Sequence, residues 1–474
     1  MALELTNVAV GTASLERYRE VIADDQWRQV AGTLPEVTAR LRDRVVWNVN
    51  STTRGGGVAE LLAAMIPYER GAEIDTRWVV IEGSDPFFKV TKRLHLLLHG
   101  DASDDSRLTE EDCRQYEETL ESNARALLQM VSPRDVVILH DPQTVGLAPA
   151  LARHGCRVIW RCHIGVDEPN EAARRAWDFL RAYVSAAEAC VFSRRAYAWE
   201  GLDPDRLAFI APAIDAFTPK NQELDGETTR AILARCGVLE GGDGKAASFL
   251  RGDGSIGRVT MEVEKFEESS PPEDGPLVVQ VSRWDPLKDP IGVMKAFAEH
   301  VAPNAPGDLV LAGPRDHAVK DDPGQAAVAS EVEDRWRELA PDVRARVHLV
   351  HIPLEDEEQN AAIVNALQRH ATVVVQKSLA EGFGLTVAEA MWKARPVVAS
   401  RVGGIGDQVE HGRSGVLVDD PQDLRSFGAA VVELLEDGAR IERMGEAARR
   451  RVTERFLVPR QLLEQWRLID RLLG

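Results

Sequence analysis

The hydrophobic pattern of the chain alternates, twice over, between short apolar runs and longer stretches with helical spacing. In the first half, the runs typical of buried strands lie at residues 44–50, 77–83, 135–143, 157–167, 189–193 and 207–215. In the second half they lie at residues 276–281, 308–314, 346–353, 372–375, 396–400 and 414–420. Strands that alternate with helices form parallel, doubly wound sheets. The pattern therefore predicts an α/β chain with two Rossmann-like domains in tandem.

Segments outside this alternation complete the expected organisation. Helical spacing at residues 15–22 and 29–41 predicts a lead-in to the first domain, and three closing helices are expected at 421–435, 440–456 and 459–473. Residues 221–275 interrupt the second half, with loop composition at 241–245 and 267–275 and a hairpin expected around 252–257. We expect this segment to be a surface excursion. The predicted domains are 1–216 and 217–456, followed by a final helix within 457–474.

The composition and net charge of the chain argue against nucleic acids and membranes as partners. The 474 residues carry a formal net charge of −19, with 44% hydrophobic and 28% charged residues. An acidic chain is a poor match for nucleic acid or for an anionic membrane. No apolar stretch approaches the roughly 20 residues of a membrane-spanning helix, and the N-terminus lacks the features of a signal peptide. The five cysteines show no Cys-x-x-Cys spacing, so we expect a cytoplasmic protein without a disulfide scaffold or zinc site.

The stretch SLAEGFGLTVAEAM, residues 378–391, joins two predicted strands and holds two carboxylates, Glu381 in its loop and Glu389 in its helix. The residues that lead into the helix are Gly382, Phe383, Gly384, Leu385 and Thr386. A helix N-terminus binds phosphate because its N–H groups and its dipole both favour an anion. Carboxylates beside a phosphate indicate hydroxyl recognition, with Glu389 on a ribose and Glu381 on a sugar. The alternative interpretation is a tight turn followed by a solvated glutamate.

A second loop, after the strand at residues 276–281, supplies cations. Arg283 and Lys288 lie there beside Asp285 and Asp289. The two cations would neutralise a diphosphate that rests on the helix N-terminus. The alternative is a set of local salt bridges to the two aspartates. Two doubly wound domains in tandem would place this site opposite the first domain, across a cleft.

The predicted strands of the first domain also end in polar residues. Gly55, Gly56 and Gly57 open a helix after the first strand, which indicates anion binding, close approach of a ligand, or a flexible turn. They do not form the G-x-G-x-x-G fingerprint of nicotinamide-binding proteins. Ligands of doubly wound sheets bind at the carboxyl ends of the strands, although a single histidine there is often structural. The polar residues at these ends are His140, Asp141, Gln143 and His163.

These motifs together resemble those of a retaining glycosyltransferase of the two-domain GT-B type, family GT4. SLAEGFGLTVAEAM matches the E-x7-E signature of that family through Glu381 and Glu389, and SRWDPLKDP resembles its phosphate-binding Arg and Lys loop. WNVNSTTRGGGVAELL, RWVVIEG, HDPQ and WRCHIGVD are similar to trehalose synthases that transfer glucose from a nucleotide sugar to glucose, and to retaining trehalose phosphorylases. The resemblance runs from about residue 44 to the C-terminus, apart from residues 221–275.

The resemblance implies a hexosyl transfer in carbohydrate metabolism that retains the α-anomer and needs no metal or other cofactor. The acceptor would attack from the face that the leaving phosphate departs from, and that phosphate would take the acceptor's proton. Arg283 and Lys288 would stabilise the departing diphosphate, and His163 would lie near the donor glucose.

The resemblance also implies an acceptor pocket in the first domain. The residues 53–57 would approach the donor phosphates or the acceptor. The remaining pocket candidates are Glu82, His140, Asp141 and Gln143. Closure of the cleft would exclude water, and the helix at residues 459–473 would cross back to the first domain.

Three functions stay open at this point. The first is trehalose synthesis from ADP- or UDP-glucose and glucose, in either direction. The second is a trehalose phosphorylase that uses phosphate and glucose 1-phosphate through the same loops. The third is a non-catalytic sugar or nucleotide sensor. Small molecules are the expected partners in all three, and a homodimer is among the options for the assembly.

Overall fold

A computed structural model describes residues 4–54, 56–101, 108–240, 247–315 and 324–474. Gly55 and the loop expected at 241–245 lie outside the described residues. The chain divides into two compact units, the first formed by Met1–Ala213 with Phe456–Gly474 and the second by Ile214–Arg455. None of the described helices combines the length and the apolar composition that crossing a membrane requires.

The strands follow the predicted alternation closely. Those of the first unit are β1 (Thr6–Val8), β2 (Val46–Asn50), β3 (Thr76–Val80), β4 (Val136–His140), β5 (Arg157–Cys162), β6 (Ala189–Phe192) and β7 (Leu207–Phe209). Those of the second are β8 (Ser248–Leu250), β9 (Ile256–Arg258), β10 (Glu264–Phe266), β11 (Leu277–Val281), β12 (Asp308–Pro314), β13 (Val347–Ile352), β14 (Val373–Gln376), β15 (Val397–Ser400) and β16 (Val416–Val418).

The helices fill the intervals between the strands. The first unit has α1 (Asp24–Leu41), α2 (Gly57–Gly71), α3 (Asp85–Leu98), α4 (Glu110–Leu127), α5 (Asp141–Thr144), α6 (Ala148–His154) and α7 (Glu171–Val184). The second has α8 (Gly226–Arg235), α9 (Pro290–Ala296), α10 (Gly324–Arg337), α11 (Pro341–Arg344), α12 (Glu357–His370), α13 (Leu385–Trp392), α14 (Ile405–Gln408), α15 (Leu424–Leu435) and α16 (Gly438–Arg455). The last helix, α17 (Val458–Leu473), belongs to the first unit.

The first sheet has the order β1-β3-β2-β4-β5-β6-β7 and is parallel except for β1, which pairs antiparallel with β3. Every residue of β2 and β4 is buried, as expected for central strands with helices on both faces. The sequence pattern missed β1 because it has three residues that are exposed or half-buried, typical of an edge. The order reverses between β2 and β4, and ligands of such sheets bind at that reversal.

The second sheet repeats the arrangement, in the order β10-β13-β12-β11-β14-β15-β16. Its reversal lies between β11 and β14, which pair in parallel with Val278 opposite Val373. Its antiparallel edge strand is β10, with Lys265 opposite Val350 of β13. The expectation of two doubly wound sheets is therefore confirmed, with one antiparallel edge strand added to each.

Residues 221–275 are less detached than we expected. The predicted hairpin is present, with β8 and β9 paired antiparallel. Arg251 at its turn forms ion pairs with Asp356 and Glu358 at the start of α12. The same segment supplies β10, so the expectation of a surface excursion is wrong for this part of it: the chain returns to extend the second sheet.

The last helix is tied to the sheet of the first unit by buried polar groups. Gln465 of α17 donates from Nε2 to Oε1 of Glu69 on α2 at 3.0 Å. Nη1 of Arg161, on β5, donates to Oε1 of Gln465 at 3.3 Å. Burial raises the pKa of Glu69 to about 7 and lowers the pKa of Arg161 to about 10. Because the pKa of Glu69 is raised in the folded protein, the stability of the first unit should depend on pH.

We expect Glu69→Gln to become more stable than the wild type as pH rises. The folded pKa of Glu69 lies above its ordinary value of 4.5, so the stability it contributes is complete below about pH 4.5 and is lost as pH rises through about 7. The shift corresponds to about 3 kcal/mol in the free energy of unfolding. Urea unfolding at pH 5 and pH 8 measures the difference. Glu36→Gln, at an exposed position of α1, is the control, and an equal pH response in both variants would contradict the assignment.

Candidate active site

Two loops meet at the reversal of the second sheet, one after β11 and one after β14. The backbone N–H of Leu379 donates to the carbonyl of Leu287 at 2.8 Å, which joins the loops directly. Beside this bond, Nζ of Lys288 forms an ion pair with Oε2 of Glu381. The hydroxyl of Ser378 donates to the same carboxylate oxygen at 3.3 Å. Lys288 and Glu381, 93 positions apart, are thus brought into contact by the order of the strands.

The loop after β11 holds its cations at different depths. Lys288 ends a short 3₁₀ turn that Asp285 caps by accepting from the N–H of Leu287 at 2.8 Å. The Arg283 side chain is 45% exposed, and its Nη2 lies 3.6 Å from Oδ2 of Asp285. The alternative of local salt bridges therefore applies to Arg283, whereas Lys288 pairs with Glu381 across the two loops.

A second lysine at this edge was not selected from the sequence. Lys377, the first residue after β14, is buried and forms an ion pair with Asp289. Asp289 has a left-handed backbone with φ of 49° and caps α9 by accepting from the N–H of Gly292 at 3.0 Å. The sequence feature that could have identified Lys377 is a charged residue directly after an apolar strand. Lys377 thus holds the loop after β11 through Asp289, whereas Lys288 of that loop pairs with Glu381.

The start of α13 is fixed by its neighbours. Gly384 precedes the helix with φ of 86°, a conformation that favours glycine. The side-chain amide of Gln408 donates to the carbonyls of Phe383 and Gly384, and the N–H of Gly404 donates to the carbonyl of Gly382 at 3.2 Å. These bonds satisfy the carbonyls of the entering loop. The N–H groups that open α13, including those of Leu385 and Thr386, stay available to a ligand by their position in the first turn.

Glu389 lies apart from the Lys288–Glu381 pair in its contacts. It is buried on α13, and its Oε1 forms an ion pair at 3.1 Å with Nζ of Lys220, a residue the sequence analysis did not select. Its Oε2 is buried and has no hydrogen-bond partner among the described residues. The second carboxylate of the motif thus has one oxygen engaged and one acceptor unsatisfied, which fits a hydroxyl ligand better than a solvated face.

In the first unit, the polar residues expected at the strand ends gather at β2, β4 and β5. Nδ1 of His140 lies 3.2 Å from Nε2 of His163, and the two rings are stacked with an interplanar angle of 12°. Nε2 of His140 lies 3.1 Å from Oδ1 of Asn48 on β2. Burial, with the nearby charge of Arg161, lowers the pKa of His140 to about 3 and holds the pKa of His163 well below its usual range. Both imidazoles are therefore neutral near pH 7.

Asp141 orders the backbone around these histidines. Its Oδ1 accepts from the N–H of His163 at 2.7 Å, and its carbonyl accepts from the indole N–H of Trp160 at 3.1 Å. Its φ of 61° is unusual for a non-glycine residue. Burial raises the pKa of the Asp141 carboxyl to about 7. Asp141 therefore acts through the position of His163.

The other first-unit candidates lie around the same strand ends. Glu82 follows β3 and is exposed, with Oε1 accepting from the hydroxyl of Thr6 at 3.2 Å. Gly56 and Gly57 begin α2 directly after the loop that leaves β2. Gln143 lies in the short helix α5, and its Oε1 is buried without a partner among the described residues. Glu82, Gly56 and Gln143 remain predicted ligand contacts.

Comparison with known proteins decides the family. Residues 48–199 match the family described as "Trehalose synthase, N-terminal domain", and residues 262–451 match "Glycosyl transferases group 1". The "Trehalose synthase" of Rubrobacter xylanophilus is 36% identical over 99% of this chain and 100% of its own length. The chain belongs to the trehalose synthase family.

This trehalose synthase family member is also similar to more distant proteins. The "Trehalose phosphorylase" of Pleurotus pulmonarius is 26% identical over 93% of this chain and 58% of its own length. The crystal structure of an alpha,alpha-trehalose-phosphate synthase (UDP-forming) from Burkholderia vietnamiensis superposes with a TM-score of 0.64 at 14% identity, covering 90% of this chain and 98% of that one. The fold is of the GT-B type, and the protein is a hexosyltransferase.

Gly384→Ala tests how strictly the start of α13 is set in this trehalose synthase family member. A Cβ at Gly384 would lie 3.1 Å from Cγ1 of Ile405 and 3.3 Å from Cγ of Glu381, on a backbone with φ of 86°. We expect a loss of about 1–2 kcal/mol in the free energy of unfolding from backbone strain, and a fall in transferase activity of at least about 10-fold because Glu381 must move.

The matched control is Gly412→Ala, with φ of 78° and no heavy atom within 4 Å of the added Cβ. Gly412→Ala has the same backbone strain, but its added Cβ contacts no neighbouring atom. Chemical denaturation and initial rates of sugar transfer measure the two effects. Equal activity in the two variants would show that Glu381 does not depend on this geometry.

Proposed function

We propose that this protein makes trehalose by transferring glucose from a nucleotide diphosphate glucose to glucose, with retention of the α configuration. The observation that carries the proposal is the Lys288–Glu381 ion pair, which joins the loop after β11 to the loop that leads into α13, at the reversal of a doubly wound sheet. A cation, a carboxylate and a helix N-terminus on adjacent loops match the phosphates and the hydroxyls of a sugar nucleotide.

Charge compensation explains how the pair would accept a donor. Both side chains are largely buried, so each needs the other while no ligand competes. A diphosphate that binds the N–H groups of α13 would compete for Lys288. Glu381 would then accept from a hydroxyl of the transferred sugar, and the exposed Arg283 would close on the outer phosphate. The unsatisfied Oε2 of Glu389 would accept from a ribose hydroxyl.

The transfer itself would be concerted on one face of the sugar. The bond from the anomeric carbon to the phosphate oxygen breaks while the bond to the acceptor oxygen forms on the same face. The acceptor's proton passes to the departing phosphate, so the step balances without a protein nucleophile. Arg283 and Lys288 stabilise the charge that develops on the diphosphate, the role that a metal ion fills in other transferases.

The first unit would hold the acceptor glucose. Glu82, Gln143 and His163 follow the carboxyl ends of β3, β4 and β5, the edge of such a sheet at which ligands bind. The neutral groups among them, Gln143 and His163, suit uncharged sugars, since a site that hydrogen-bonds a hydroxyl rejects an analogue without it. Gly56 and Gly57, at the start of α2, have no side chains and would let the ligand approach the protein backbone closely.

A second candidate function is trehalose phosphorolysis. The cations that would bind the diphosphate would also bind inorganic phosphate, and the Pleurotus pulmonarius relative carries that name. The chain spans 58% of that relative, compared with the full length of the Rubrobacter xylanophilus "Trehalose synthase" at higher identity. Coverage of the whole synthase at higher identity favours trehalose synthesis over phosphorolysis as the proposed function.

Incubation of the protein with trehalose and either ADP, UDP or inorganic phosphate distinguishes the two functions. We expect ADP or UDP to yield the corresponding nucleotide glucose and free glucose, and we expect the reaction to proceed in EDTA because the proposed transfer uses no metal. Chromatography and NMR of the products identify the sugar phosphate and its anomer. Formation of glucose 1-phosphate with phosphate, and no reaction with nucleotides, would replace the synthase proposal with the phosphorylase.

Variants of the ion pair test the assignment of each charge. Lys288→Ala should lower kcat by roughly 10²–10³-fold, since it removes a cation aimed at the developing charge. Glu381→Ala should abolish transfer while nucleotide binding, measured by calorimetry, stays detectable. Lys295→Ala, an exposed lysine on α9, is the control for loss of a positive charge. Loss of nucleotide binding in Glu381→Ala would show that Glu381 does not contact the sugar.

A further inference from the structure

A row of three side chains crosses the strand ends of the first sheet. Asn48 lies on β2, His140 ends β4 and His163 follows β5, three strands that are neighbours in the sheet. The contacts between them are 3.1 Å from Asn48 Oδ1 to His140 Nε2 and 3.2 Å from His140 Nδ1 to His163 Nε2. Asn48 and His140 are 0% and 2% exposed, so water does not interrupt the row.

Such a row has a direction. A neutral imidazole carries one N–H and one lone pair, so the role of one nitrogen fixes the role of the other. Asn48 presents its amide oxygen to His140, which therefore carries its proton on Nε2 and accepts at Nδ1. Nε2 of His163 must then donate to His140, and Nδ1 of His163 keeps its lone pair.

We propose that Asn48 and His140 are positioning residues that hold His163 as the Nε2–H tautomer, so that Nδ1 of His163 accepts a hydrogen bond from a sugar hydroxyl. The identity of that ligand rests on the proposed function, whereas the tautomer is a property of the protein itself. The Asp141 carboxylate fixes the backbone N–H of His163 at 2.7 Å, and the row fixes the polarity of its ring.

The polarity has a consequence for specificity. A hydroxyl can donate to Nδ1 of His163, but an ionised phosphate oxygen only accepts hydrogen bonds. A ring held in this tautomer therefore favours a sugar hydroxyl over a phosphate at this position. The opposite tautomer would present an N–H and would attract a phosphate oxygen. Asn48, which need not touch the ligand, would thus select which part of the donor or acceptor lies against His163.

Nitrogen NMR of the protein with ¹⁵N-labelled histidine reads the tautomer directly, without substrate. His163→Phe identifies the resonance. In the wild type at pH 7.5 we expect protonated Nε2 and unprotonated Nδ1 at His163. A wild type with protonated Nδ1 overturns the proposal, since it would mean that Asn48 donates to His140 and that the row runs the other way.

Substitutions along the row test whether it sets the tautomer. Asn48→Leu and His140→Phe should each produce a mixture of His163 tautomers. His140→Gln should preserve the Nε2–H form, because its amide keeps one donor and one acceptor in similar places. His154→Gln is the control, at a half-buried histidine of α6 outside the row. An unchanged tautomer in both Asn48→Leu and His140→Phe overturns the proposal.

Monodeoxy analogues of glucose, supplied both as acceptors and as the glucose of the nucleotide donor, test the ligand half of the proposal. For the wild type, one analogue should lose about 10–100-fold in kcat/KM, the expected effect of an unpaired acceptor. The same analogue should lose little in Asn48→Leu relative to glucose. Equal penalties in the two proteins would overturn the sugar contact. Absence of any transfer would instead reject the proposed function and leave the NMR result standing.

Discussion

The adjacency of β11 and β14 is the constraint on which the rest of the second unit depends. The two strands pair in parallel although β12, β13 and their helices lie between them in the chain. Their carboxyl ends therefore send two loops in opposite directions around the sheet from the same point. The Leu379–Leu287 bond and the Lys288–Glu381 ion pair follow from that topology. A change in strand order would separate Lys288 from Glu381 and Lys377 from Asp289.

Burial makes these charges sensitive to their partners. Removing one member of a buried ion pair costs roughly 3–5 kcal/mol because the other charge is left without compensation. Lys377 has Asp289, and Lys220 has Glu389, in the same part of the second unit. Burial lowers the pKa of Lys393 to about 7, where three oxygen acceptors hold its ammonium group. The charges of the candidate site are therefore compensated by one another, and an anion that binds Lys288 must compete with Glu381.

Sequence reasoning was strongest where a property is local. The apolar, β-branched runs predicted the strands of both sheets, and the E-x7-E spacing predicted which loop and helix carry Glu381 and Glu389. It missed Lys220 because its partner, Glu389, is far away in the sequence. It missed β10 for the same reason, since pairing with β13 rather than its own composition makes it a strand. Asn48 stood in a motif that was recognised, yet its role depends on a contact with His140 on another strand.

A buried charge of the first unit is hydrogen-bonded to a helix that is remote in sequence. Arg161 is buried and remains charged near pH 7, since its pKa falls only to about 10. Its charge adds to burial in lowering the pKa of His140 and His163, and Gln465 of α17 is a hydrogen-bond partner of its guanidinium. A neutral pair of rings is the condition for a row with a single direction, because an imidazolium would donate at both nitrogens. Thus α17 does more than close the fold: by holding Arg161 it helps to keep the histidines neutral, and a neutral His163 can accept from a hydroxyl.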